Sequence, residues 1–204
     1  MQRDNSLIWG NRQLYHMLEY VTDLIHSGKF TSESQEMVEL IGKISKSRGA
    51  AFNELIVDII QDMNEFTIFP NVKKINGKKI SNLQGNTLGD IDILIIDKVT
   101  DKIIAAEVKD FHFSRNPYEI QQEYLKMFVD KDKMKCFATK HTRRVKWLKE
   151  HIQDVKIQYG LDDREWDIKG IFIVSKPLIS NAIYKQNIKC ISRAELCAEI
   201  IRNI

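Results

Sequence analysis

Gly89-Asp90-Ile91-Asp92-Ile93-Leu94-Ile95-Ile96, a charged turn, and then Ile103-Ile104-Ala105-Ala106-Glu107-Val108-Lys109 decide how this chain is read. Both segments are short apolar runs bounded by charged residues, the pattern of buried strands. Their apolar residues stand at both parities, so both faces of each strand must be covered. That predicts a central sheet sandwiched between helices. Two acids and a lysine interrupt this apolar setting, and a buried charge is costly unless it is paired or binds a metal. Side chains alternate along a strand, so Glu107 and Lys109 share one face and Val108 points the other way into the core. If the two strands are neighbours, Asp92 sits beside Glu107 at their ends.

Two readings of this constellation stay open on the residues alone. One is an acid–lysine ion pair at a strand end. The other is a hard-oxygen metal site, because two carboxylates with a backbone carbonyl suit Mg²⁺ or Mn²⁺. A lysine beside such a site can orient water or stabilise charge developing on a phosphate. The spacing Gly-Asp-x-Asp, fourteen residues after the second Asp, then Glu-x-Lys favours the second reading. Asp90 shares the parity of Asp92, as an alternate ligand or a strand-entry turn residue, and His112 stands nearby as a strand-end histidine.

Outward from the strands the periodicity is helical. Leu14, Met17, Leu18, Val21, Leu24 and Ile25 predict a helix over 12–26, with Gly28 as its stop. Ser32 and Gln35 form a capping-box pattern ahead of a second helix over 33–47, broken at Gly49. A third runs over 50–63 through Phe52, Leu55, Ile56, Ile59 and Ile60. Residues 72–80 read as a hairpin about Asn76-Gly77, which tolerates the positive φ angles of a type I′ turn. After the strands, Asn116-Pro117-Tyr118-Glu119 opens a helix with its own cap. Another is predicted over 142–159 with Val145, Leu148, Ile152 and Val155 inward. A short strand over 170–174 and a last helix over 193–201, capped by Ser192, complete the chain. The fold class is α/β, with residues 1–47 a helical appendage and 48–204 the main domain.

The chain has 204 residues, 43% hydrophobic and 29% charged, which suits a globular protein with a real core. No apolar run approaches the ~20 residues of a membrane span. The opening MQRDNSLIWGNRQ lacks the apolar region of a secretory signal. Three cysteines without a CxxC fit a reducing cytoplasm. The net charge of +3 hides a segregation: residues 1–108 carry 12 basic and 15 acidic side chains, 109–149 carry 11 and 5, and 150–204 carry 8 and 8. The surplus therefore begins at Lys109. On the 142–159 helix, Arg143, Arg144, Trp147 and His151, preceded by Lys140, stand off the predicted core stripe. Such a face suits phosphate contact with stacking, or Trp147 packs on a neighbouring helix.

The acidic motif resembles that of the PD-(D/E)xK nuclease superfamily, over roughly Gly49 to Val174. The segments GDIDILIID, IIAAEVKDFHFSRNPYEIQQEY and KHTRRVKWLKEHI are also similar to nuclease-related C-terminal regions of larger, uncharacterised bacterial proteins. The resemblance implies a restriction-endonuclease-like α/β/α sandwich with a central mixed sheet, here preceded by two extra helices. It implies a Mg²⁺- or Mn²⁺-dependent phosphodiesterase acting on DNA more than RNA, of the endonuclease type. Asp92, Glu107 and the Val108 carbonyl become the metal ligands, and Lys109 the catalytic lysine. Glu54 is the candidate for the acid that many members place on the preceding helix, although its position nearly opposite the Phe52/Leu55/Ile59 stripe favours solvent. Gln121 lies three residues before Tyr124, short of the family's Gln-xxx-Tyr spacing, and is carried as a DNA contact with Lys140, Arg143, Arg144 and Trp147. The alternative is a non-catalytic nucleic-acid-binding or protein-docking module on the same scaffold. The apolar faces of the first two helices suit packing, a second copy, or the rest of a longer polypeptide.

Overall fold

A computed structural model describes residues 9–27, 29–114, 116–132, 134–184 and 188–204, with the backbone of 2–3 and 6–7. Gly28, expected to stop the first helix, lies outside the described residues. The chain divides into two compact units, Met1–Ala51 and Phe52–Ile204.

The first unit holds a two-residue ribbon, β1 (Gln2–Arg3) with β2 (Ser6–Leu7), then α1 (Asn11–His26) and the opening half of α2 (Gln35–Asp62). None of its described side chains is buried. Leu14, Met17 and Leu18 of α1 are exposed. The break expected at Gly49 does not occur: one helix replaces the predicted second and third. An interior glycine costs about 1 kcal/mol against alanine, which weakens a helix without ending it. Ala50 and Ala51 follow at once, and neither proline nor a cap interrupts the run.

The second unit is built on a five-stranded mixed sheet, in the order β3 (Thr67–Val72), β6 (Ile91–Asp97), β7 (Lys102–Lys109), β8 (Asp167–Val174), β9 (Lys189–Ser192). The pairs β3–β6 and β6–β7 are antiparallel, and β8 and β9 add in parallel beyond β7. The small hairpin β4 (Lys74–Ile75) and β5 (Lys78–Lys79) turns at Asn76-Gly77, where φ is +49° and +75° as the type I′ turn requires. Helices α3 (Pro117–Phe128), α4 (Phe137–Glu150), α5 (Ile152–Tyr159), α6 (Ile179–Ile183) and α7 (Ala198–Arg202) complete the unit.

Strand parity sorts the core into layers. Ile93, Ile95, Ile104, Ala106 and Val108 pack with Phe52, Ile56 and Ile60 of α2 on one face. Leu94, Ile96, Ile103 and Ala105 pack with Trp147, Leu148 and Val155 of α4 and α5 on the other. Met127 of α3 joins Phe172, Val174 and Leu178 in a third cluster. The expected α/β sandwich with a central mixed sheet is the fold.

Other elements also depart from expectation, and β8 starts at Asp167 where a strand over 170–174 was expected. The predicted 142–159 helix begins at Phe137 and is split at His151 (φ −115°, ψ 31°), whose Nδ1 bonds the Trp147 carbonyl at 2.9 Å. The last helix is a 3₁₀ turn, Arg193–Glu195, then α7; Ser192 does cap it, bonded through its N–H and Oγ to the Glu195 carboxylate. Strands β9 and most of β3 were not expected. Both are sheet edges, where short length and a proline (Pro70) are tolerated and the apolar signal is weak.

Candidate active site

The antiparallel ladder of β6 and β7 pairs Ile93 with Ala106, so Asp92 and Glu107 stand one step further, opposite each other at its open end. Both belong to the α4 face by parity, as does Lys109. The backbone N–H of Val108 donates to Asp92 Oδ2 at 2.9 Å and fixes that carboxylate across the strands. Lys109 Nζ then lies 2.8 Å from Glu107 Oε1, 3.5 Å from Asp92 Oδ2 and 3.1 Å from the Val108 carbonyl oxygen. Three oxygens from two strands thus converge on one cationic point.

Helix α4 supplies the second half of the site. His141 and Arg144, one turn apart, are both buried against the sheet. Arg144 Nη2 lies 2.6 Å from Glu107 Oε2, while Nη1 donates to the Asp90 carbonyl. One guanidinium therefore ties the entry of β6 to the carboxylate of β7. His141 Nε2 is 3.1 Å from the Ala105 carbonyl, which can only accept, so that nitrogen carries the proton. Its Nδ1 faces Glu107 Oε2 at 3.9 Å. Glycine at position 170 of β8 makes room: a Cβ there would meet Val145 Cγ2 at 2.6 Å and His141 Nε2 at 3.0 Å.

The charges offset one another. Glu107, only 4% exposed, is held between Lys109 on one oxygen and Arg144 on the other. Asp92 has its carboxyl raised above the ordinary range, by burial first and by the Glu107 charge second, against the pull of Lys109, the Val108 N–H and Arg144. Burial, helped by Arg144, lowers His141 to about 3, so its imidazole is neutral at neutral pH. Glu107 Oε2, His141 Nδ1 and Arg144 Nε are buried without a hydrogen bond; the Arg144 contact to Oε2 is an ion pair out of line with its N–H. Among the described residues no three His, Cys, Asp or Glu side chains gather as a metal cluster. Two carboxylates, one carrying an oxygen without a hydrogen bond, and a carbonyl are nevertheless a donor set that fits Mg²⁺ or Mn²⁺, ions that keep several waters.

The remaining expected residues are dispersed. Glu54 is exposed on α2, the helix that covers the opposite sheet face, and makes no hydrogen bond or ion pair with another described residue. The core stripe there is Phe52, Ile56 and Ile60. Arg144 and Trp147, expected on an exposed basic face, are buried; the stripe of α4 runs through His141, Arg144 and Leu148. Trp147 stacks on His151, with ring centroids 4.1 Å apart and planes 12° from parallel. Lys140, Arg143 and Gln121 are exposed. Arg143 borders an open cleft of about 660 Å³ with Lys78, Lys79 and Lys146, walled by Trp147 and His151. Asp90 contributes its backbone carbonyl while its side chain is exposed. Sequence reasoning missed the inward role of His141 and Arg144; Gly170 in an apolar strand was the available signal of a close helix approach.

No family model matches the chain, and no curated protein matches it. Among solved structures, the crystal structure of Type IIF restriction endonuclease Bse634I with cognate DNA is similar over 94% of this chain and 83% of that one, at 14% identity and a TM-score of 0.36. Among the described residues no helix is long and apolar enough to cross a membrane.

Proposed function

We propose that the protein is a divalent-cation-dependent nuclease that hydrolyses phosphodiester bonds in DNA, with its reacting centre at Asp92, Glu107 and Lys109. The observation that carries this reading is the convergence of Asp92 Oδ2, Glu107 Oε1 and the Val108 carbonyl on the Lys109 ammonium. Asp92, Glu107 and the Val108 carbonyl would hold Mg²⁺ or Mn²⁺. Such an ion, when bound, supplies Lewis acidity toward water and the leaving oxygen. Arg144 fixes Glu107 from behind and keeps its second oxygen from turning away. Lys109, released from the carboxylates, donates hydrogen bonds to the phosphate and to the attacking water. Lys140 and Arg143 on α4 and Gln121 on α3 contact the strand outside the centre, whereas Arg144 and Trp147 act from within the protein. Glu54, exposed on α2, takes no role in this proposal. The exposed stripe of α1 is a contact for a second copy of the chain, and the free cysteines Cys136, Cys190 and Cys197 suit a cytoplasmic setting.

Incubation with linear, circular and single-stranded DNA, and with RNA, in Mg²⁺ or Mn²⁺ tests the reading. Cleavage is expected to drop by at least about 100-fold in Asp92→Asn and Lys109→Ala. Circular DNA reports whether the cut is internal. Cleavage that survives both substitutions overturns the assignment. A second reading, a non-catalytic binding module, is favoured by the pairing of Glu107 with both Lys109 and Arg144, which balances the carboxylates without a metal. It predicts salt-sensitive binding and no cleavage in either metal.

A further inference from the structure

Beside the reacting centre, three ammonium groups share one aromatic ring. Nζ of Lys109, Lys126 and Lys140 lies 5.4, 5.6 and 5.9 Å from the centroid of Phe137. They come from β7, α3 and α4, so the fold and not local sequence brings them together. No two of these charges can be further apart than the sum of their distances to that centroid. Lys109 is engaged by Glu107 and Asp92. Lys126 and Lys140 are exposed and form no ion pair with another described residue. The nearest acid of α3, Glu123, is buried and already accepts hydrogen bonds from Ser114 and from the N–H and Oγ of Ser180. The negative face of the Phe137 ring steadies like charges that otherwise repel. An edge contact with Phe111, at 6.5 Å between centroids and 70° between planes, holds the ring in turn.

A group of cations with two members that pair with no acid among the described residues is a place for an anion. Its third member belongs to the centre where a phosphate would react. We infer that Lys126 and Lys140, steadied on Phe137, form a second phosphate subsite for the backbone phosphate that flanks the reacting one. The site is the anion of a nucleic-acid strand, and this identity of the ligand rests on the nuclease reading. Lys140 alone was legible from charge along α4; Lys126 and Phe137 enter only through the packing of α3 against α4 and β7.

The experiment measures binding of a fluorescein-labelled DNA duplex by anisotropy in EDTA, across a salt series. Lys126→Gln with Lys140→Gln is expected to weaken binding about tenfold and to lower the slope of log K against log salt by about two. Lys98→Gln, an exposed lysine at the opposite end of β6, is expected to change neither. Replacing single phosphates by neutral methylphosphonates is expected to weaken wild-type binding at the flanking position and to leave the double variant indifferent there. Unchanged affinity and slope in the double variant, or no sensitive flanking phosphate in the wild type, overturns the subsite. Cleavage of the same duplex in Mg²⁺ or Mn²⁺ is scored separately. Lysine-dependent binding without cleavage keeps the subsite and removes the nuclease reading, and wild-type protein that binds no DNA removes both.

Discussion

Glu107 is the residue on which most of the site's electrostatics turns, because it is nearly inaccessible and touches two cations. Removing one partner of a buried pair strands the other charge, at a cost of about 3–5 kcal/mol. Arg144→Met is therefore expected to lower the urea-unfolding free energy by about that amount, and Arg144→Met with Glu107→Gln by less than Arg144→Met alone. Arg144→Lys should not restore stability, since a single ammonium cannot reach both Glu107 and the Asp90 carbonyl as the guanidinium does. Lys109 gives a different test. Its ammonium rests among the same oxygens that would take a divalent ion, so the two cations compete. Lys109→Ala is expected to bind Mn²⁺ several-fold more tightly, read by calorimetry, while losing cleavage; weaker Mn²⁺ binding would show that the ammonium does not compete. Asp92, Glu107 and Lys109 were legible because charges stand out against isoleucines. His141 and Arg144 were not, since an arginine beside a core stripe normally turns to solvent. What turns this one inward is the Glu107 oxygen that Lys109 leaves free, and what seats His141 is the missing side chain at Gly170.

Among the elements, the hairpin β4–β5 docks on the sandwich through buried Ile75 and through a polar edge. The Asn76 backbone N–H donates to Gln158 Oε1 at 3.0 Å, and the Asn76 amide and Lys78 ammonium donate to Asp154 at 2.9 and 2.7 Å. Lys78 first, and the Asn76 amide second, hold the Asp154 carboxyl below its ordinary value of 3.8. A carboxyl lowered by folding adds stability that is present above 3.8 and fades as pH falls through the lower folded value. The wild type is therefore expected to be more stable than Asp154→Asn at pH 7, with the gap narrowing by pH 3. Chemical denaturation at the two pH values reads it, and a gap that widens in acid contradicts the docking. Asn76-Gly77 and Asn116-Pro117 were legible because turn and cap chemistry is local. The Asn116 side chain does accept from the Glu119 N–H, at 2.9 Å. The edge strands β3 and β9 were not, because what makes them strands is a neighbour remote in sequence. Gly49 misled for the converse reason: a helix-weakening residue is local, but its cost is too small to end a helix on its own.

At the scale of the whole molecule, the two units differ in what they contribute. Every member of the three hydrophobic clusters lies at or beyond Phe52, and no described side chain of residues 9–51 is buried. Charge divides the same way: residues 1–51 hold 6 basic and 6 acidic side chains, and 52–204 hold 25 and 22. The excess of +3 thus belongs wholly to the unit that carries the candidate site. Hydrophobic burial is the main favourable term in folding, so the first unit adds little to the core's stability. A chain beginning at residue 48, four positions ahead of Phe52, keeps α2's contribution to the core. It is expected to unfold cooperatively with a urea midpoint close to that of the full chain. DNA binding in EDTA should keep its salt slope, because Lys109, Lys126, Lys140 and Arg143 all remain. What the shortened chain should lose is self-association, if α1's exposed Leu14, Met17 and Leu18 are the contact between copies, and sedimentation at high concentration separates the two forms. A shortened chain that fails to fold would place core stability in a segment whose side chains are all accessible, and would refute the division of labour between the units.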